Sequence, residues 1–169
     1  QSSAPRPEAL AADAGSVFLW RFPPRRLEAE PIRDAVLATS GVLDLAMGGP
    51  GYNAFEPNDN YVRVYTPRKI FGPEEWRRMI YQYKPRVAQD ETFGIFDCPD
   101  GGQHQPKRNA STTPLQALNL LNSPFMNQQA ELLAKRLEKE TPDPAEQAAQ
   151  AFRLAYARDP LAEEKTASA

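Results

Sequence analysis

Apolar residues recur along this chain at helical spacing in several separate stretches, divided by prolines and polar loops. Ala29, Ile32, Val36 and Thr39 fall on one face of a helix predicted over residues 27–39, with Gly41 as a left-handed cap and Pro31 restricting the start. A second helix is predicted from Pro73, with Glu74 and Glu75 at its positive end, Trp76, Met79, Ile80 and Tyr83 as its apolar stripe, and Pro85 as its stop. Thr113-Pro-Leu-Gln116 and Asp143-Pro-Ala-Glu146 read as capping boxes with proline at the first helical position, and Ser123-Pro124 restarts a helix between them. Met126, Ala130, Leu133 and Leu137 form one helical stripe, Ala148, Phe152 and Ala155 another, and a last start lies at Asp159.

Strand signals are fewer. Tyr61–Thr66 alternates and is rich in β-formers, and Thr92–Pro99 reads as a second short strand pairing with it. The expected fold class is therefore mainly α, short helices with a small two-stranded β element. Residues 1–24 are expected to form an extended arm ending in the apolar cluster Val17–Phe22, a short strand or a plug into the core. Residues 25–169 are expected to form the helical domain. Met47–Asn60 and residues 100–110 read as loops.

The 169 residues suffice for one modest core, and 17 prolines keep the elements short. With 20 basic against 22 acidic residues, the net charge of −2 argues against broad nucleic-acid binding and against a polybasic membrane anchor. No apolar run reaches the roughly 18 residues of a membrane span. One cysteine, Cys98, and one histidine, His104, preclude an internal disulfide and fall short of the about four ligands of a Cys/His zinc site. No haem-attachment motif is present, so no metal or cofactor is expected in this segment. The chain opens on Gln1, without an initiating Met or signal peptide, as expected of a fragment.

Three side-chain constellations are candidates for function. On the 27–39 helix, Arg26, Glu30, Arg33, Asp34 and Leu37 share one side, with Arg25 at the edge and Glu28 nearer the apolar border. Glu30 and Asp34, one turn apart, have the residue types of a two-carboxylate glycosidase. Arg26 and Arg33 lie within helical reach of Glu30, and arginine neighbours lower a carboxylate pKa, the wrong direction for a general acid. The favoured reading is an ion-pair and interaction face made by Arg25, Arg26, Glu28, Glu30, Arg33 and Asp34, with Leu37 implying that this side is covered. Glu56, Asn58, Asp59 and Asn60 crowd oxygen donors into one loop, but their spacing is not that of an EF-hand, so a loop held by Asx turns is preferred to a cation site. Lys107 and Arg108 precede a helix start capped by Thr113, a pattern able to hold an anion. Trp20, Phe22, Trp76, Tyr81 and Tyr83 are expected to pack rather than to form a sugar platform.

Six blocks in order carry a family resemblance: FLWRF, RRLEAEPIRDAVLATSGVLDLAMGGPG, NDNYVRVYTPRK, FGIFDCPD, RNASTTPLQALNLLNSPFMNQQAELLAKRL and AFRLAYARDP. From Gln1 to about Glu164 the chain resembles the planctomycete-specific C-terminal domain of large exported, cytochrome-c-like multidomain bacterial proteins, domain of unknown function 1553. The resemblance implies that the chain is the C-terminal part of a larger family domain, periplasmic or extracellular, with upstream domains, some haem-bearing, as partners. It carries no assigned catalytic residue. The expected function is a packing and interaction module without independent catalysis. The alternative is part of a polysaccharide-acting enzyme using Glu28, Glu30, Asp34 and Asp59, or a sulfated-glycan or anion binder at Lys107, Arg108 and Thr113.

Overall fold

The computed structural model describes residues 4–23 and 25–168. Gln1–Ser3 of the expected arm, Pro24 and Ala169 lie outside the described residues. Six α-helices follow in order: α1 (Pro7–Ala12), α2 (Ala29–Ser40), α3 (Pro114–Asn122), α4 (Pro124–Glu140), α5 (Pro144–Tyr156) and α6 (Ala162–Ser168). Single 3-10 turns at Pro73–Trp76, Met79–Tyr81 and Gly94–Phe96 punctuate the long connection between α2 and α3. No helix among the described residues is long and apolar enough to cross a membrane.

The helix starts are set by local chemistry. Proline begins α3, α4 and α5, where its missing N–H costs nothing. Thr113 accepts the Gln116 N–H at 3.3 Å while the Gln116 amide oxygen accepts the Thr113 N–H at 3.1 Å, a complete capping box. Ser123 caps Met126 at 3.2 Å. Asp143 caps α5 through the Ala145 N–H at 3.3 Å, but Glu146 turns to Arg153 at 2.6 Å instead of closing the expected box.

Helix α2 stops at Gly41, whose φ of +83° is the left-handed geometry that favours glycine. Its terminal carbonyls are met from another helix: Arg136 of α4 donates to Thr39 O at 2.8 Å and to Ala38 O at 3.4 Å. Pro31 falls in the first turn of α2, where the N–H would be unpaired anyway.

Ala29, Leu37, Met79, Phe93, Phe96 and Phe125 form the core, between α2, the start of α4 and the long connection. Phe125 meets Phe71 and Phe93 edge-on at ring distances of 5.4 and 5.3 Å. The buried face of α2 is Ala29, Arg33, Leu37 and Ser40, turned from the expected stripe towards the charged side. Ile32, Val36 and Thr39 instead line a groove of about 460 Å³ shared with α4 and the end of α5.

The small β element is absent: no strand or sheet occurs among the described residues, only isolated bridges at Asp44–Arg77, Tyr52–Gln82 and Phe55–Pro67. Thr92–Pro99 instead winds into a 3-10 turn that buries Phe93 and Phe96, three residues apart. The Asp90 carboxylate accepts the Thr92 and Phe93 N–H groups at 2.8 and 2.7 Å, and Asp90 O accepts Gly94 N–H at 2.8 Å, so the donors a strand would offer are taken locally. Tyr61, Val62 and Val64, lacking a mate, are exposed.

The helix expected from Pro73 is also replaced, by two 3-10 turns. An α-helix would bond the Met79 N–H to Glu75 O and the Tyr81 N–H to Arg77 O. The Arg33 guanidinium of α2 donates to both of those carbonyls, at 2.7 Å for Arg77 O, and the neighbouring Asp34 carboxylate accepts the Met79 N–H at 2.8 Å. Tertiary partners thus stand in for the helical ladder. Met79 is buried, but Ile80, expected on the same stripe, is exposed.

The Val17–Phe22 cluster does not plug the core. Val17, Phe18, Leu19 and Phe22 all face solvent.

Candidate functional site

The first turn of α2 and the connection before α3 enclose an open cleft of about 770 Å³, lined among others by Glu28, Glu30, Asp34, Arg78, Lys84 and Arg108. Every carboxylate in it has a cationic partner, none of them the helical neighbours expected from spacing. Arg108 grips Glu30 with both terminal nitrogens, at 2.6 and 3.1 Å, and reaches Glu28 at 3.1 Å. Lys84 stands 3.6 Å from Glu30, and Arg78 bonds Asp34 at 3.2 Å. The pairs join side chains 44 to 80 residues apart in sequence, so they tie the connection to α2 rather than stiffening α2 alone.

Burial pushes the Glu30 carboxyl up, but the Arg108 hydrogen bond, a backbone hydrogen bond and the charges of Arg108 and Lys84 outweigh it, leaving the group below its ordinary range. Glu30 is therefore ionised at neutral pH, with both oxygens engaged. That suits an anchor and opposes a general-acid role. The Arg108 guanidinium is raised in turn, chiefly by its bond to Glu30.

The other expected face residues part company. Arg26 turns to Thr112 and Gln116, at the start of α3. Arg33 is buried with no carboxylate within ion-pair distance among the described residues: backbone carbonyls take its hydrogens, and its guanidinium lies 4.8 Å from the Tyr52 ring centre and 5.3 Å from that of Phe125. Arg25 is exposed and pairs with no described residue. Of the anion candidates, Lys107 is exposed, Arg108 already faces two carboxylates, and the Thr113 hydroxyl is engaged in its cap. Glu56, Asn58, Asp59 and Asn60 are all exposed, Asn58 bonding Val64 O, and no group of three or more His, Cys, Asp or Glu side chains is placed to hold a metal among the described residues.

Arg78, Lys84, Glu75 and Arg77 were not distinguishable in the sequence as site residues. Glu75 is buried, accepting from Gly72 N–H at 2.7 Å and Arg68 at 2.6 Å. Arg77 lies 4.0 Å from the Tyr81 ring centre and gathers the Ala46, Gly48 and Pro50 carbonyls, so the glycine-rich loop wraps a guanidinium. The available signal was a cluster of arginines facing a helix with three acids, and no local spacing links them.

No curated protein and no solved structure matches the chain. A family match covers residues 1–169, and the chain belongs to that family, PSD1, described as a protein of unknown function (DUF1553).

Proposed function

We propose that this chain is a packing and interaction module of an exported, periplasmic or extracellular multidomain bacterial protein, docked on its upstream domains, a haem-bearing one among them, and not independently catalytic. The observation that carries the packing half is the pairing of Glu28, Glu30 and Asp34 with Arg108, Lys84 and Arg78, charges that hold the 73–113 connection onto α2. The charges of that face are matched by partners within the chain although the cleft itself is open, so docking is assigned to a different surface. The α3 leucines Leu115, Leu118 and Leu121 are exposed at helical spacing and form the face we assign to upstream domains. The export setting and the haem-bearing partner rest on the family resemblance.

In the full-length protein, amide exchange over residues 114–122 is expected to be slower than in the 169-residue chain alone, and Leu118→Asp is expected to erase that difference without lowering the melting temperature of the isolated chain. Equal exchange in the two proteins would remove the docking face. The second reading, part of a polysaccharide-acting or sulfated-glycan-binding enzyme, draws on the three carboxylates in the 770 Å³ cleft. Release of reducing sugar by the full-length protein, lost in Glu30→Gln at unchanged melting temperature, would favour it over the module.

A further inference from the structure

The bulk charge of −2 conceals an uneven distribution. Residues 1–26 hold four arginines, Arg6, Arg21, Arg25 and Arg26, against Glu8 and Asp13, a net charge of +2, so the remainder carries −4. Within this basic segment stands the longest run of adjacent exposed large apolar side chains among the described residues: Val17, Phe18 and Leu19 are 76%, 84% and 64% exposed. Leaving three such neighbours in water is unfavourable, and the loop that does so is built, not slack.

Asp13 organises it. Its carboxylate accepts the Val17 N–H at 3.0 Å and the Phe18 N–H at 2.9 Å, and its carbonyl accepts the Ser16 N–H at 3.1 Å and the Trp20 indole N–H at 2.8 Å. Ser16 O accepts the Leu19 N–H at 3.0 Å. Ser16 and Leu19 both sit in the left-handed region, at φ of 53° and 56°, a conformation that side-chain-bearing residues hold only when their surroundings impose it. At the base, the Arg6 and Arg21 guanidiniums lie 5.6 and 5.0 Å from the Trp20 ring centre, Arg6 bonding Trp20 O and Arg21 bonding the Ser16 hydroxyl. Arg6, Arg21 and Arg25 have no carboxylate within ion-pair distance among the described residues.

We propose that the Val17–Leu19 tip inserts into the surface of an anionic lipid bilayer, with Trp20 at the headgroup level and Arg6, Arg21 and Arg25 against the lipid phosphates. Four successive backbone N–H groups, Ser16 to Leu19, are already bonded inside the loop, so the tip enters an apolar medium without stranding these donors. The Arg6 and Arg21 guanidiniums flank Trp20 at the base of the tip without a carboxylate partner among the described residues, in a segment of positive net charge, the arrangement that anionic headgroups complement. This is peripheral attachment and involves no membrane span.

The test is sedimentation of the 169-residue chain with phosphatidylglycerol vesicles and, separately, phosphatidylcholine vesicles. Binding is expected to the anionic vesicles, to weaken with added salt, and to fall at least tenfold in Phe18→Asp and in Val17→Asp, substitutions at exposed sites whose circular dichroism and melting temperature should match the parent. No sedimentation with phosphatidylglycerol at low salt would overturn the proposal, as would equal binding by the parent and both variants. A chain that ignores vesicles but forms a dimer dissolved by Phe18→Asp would also overturn it, assigning the tip to a second copy of the protein.

Discussion

Arg33 is the residue on which the packing of α2 against the connection most depends, and its removal is the sharpest test of the reasoning. Its guanidinium is buried, donates to Arg77 O at 2.7 Å and to Glu75 O, and lies against Tyr52 and Phe125. Burial lowers its pKa, yet an arginine stays charged, so a full positive charge resides in the core. A hydrogen bond from a charged donor contributes about 1.5–3 kcal/mol, and a desolvated cation–π contact about 2 kcal/mol, against a desolvation cost of several kcal/mol for the ion. Truncation to alanine recovers that cost but leaves a void and two carbonyls without their charged donor, and we expect a net loss of about 4 kcal/mol. At about 2–4 °C per kcal/mol for a chain of this size, the melting temperature should fall by roughly 8–16 °C. Arg33→Lys keeps the charge but not the fork that reaches both carbonyls, and should lose about 2 kcal/mol. The assay is urea unfolding followed by circular dichroism, with the m-value checked against the parent, and amide exchange over residues 75–81 to locate the loosening. An alanine variant losing less than about 1 kcal/mol, or a lysine variant as stable as the parent, would show that the guanidinium does not hold the two 3-10 turns in place.

Glu30 titrates below its ordinary value of 4.5 in the folded chain, so its stabilisation is complete above that value and is lost as pH falls through the folded pKa; Glu30→Gln should flatten the melting-temperature profile below about pH 4.5 and leave its shape at higher pH unchanged. A methyl at Gly51 would stand 2.5 Å from Tyr81 O, the acceptor of the Tyr52 N–H, so Gly51→Ala should lower stability by about 1–3 kcal/mol in denaturant titration. The Glu164 carboxyl is pushed down to about 2, first by its hydrogen bond from Arg158 and then by the Leu161 N–H; carbon-13 titration should find it there, and Arg158→Gln should move it back towards the ordinary glutamate range.

The parts of this protein that were legible in its sequence are those whose partners lie within one helical turn. Thr113 with Gln116, Ser123 with Met126, and Gly41 in its left-handed turn depend on atoms three or four residues away, and the corresponding helix boundaries stand close to where residue types put them. Periodicity identified α2 and part of its packing, Ala29, Ile32 and Val36, but missed its most buried side, because spacing could not reveal that Arg33 would find acceptors more than forty residues downstream. The same contact dissolved the helix expected from Pro73: intrinsic preference is worth a few tenths of a kcal/mol per residue, and a charged donor on Glu75 O and Arg77 O with a carboxylate on the Met79 N–H exceeds it. Helical spacing suggested that the acids of α2 are ion-paired, with Arg26 and Arg33 as the nearest cations. Only the fold chose Arg108, Lys84 and Arg78 over Arg26 and Arg33 as partners, because a bridge needs two groups within about 4 Å and chain distance alone does not decide which groups meet.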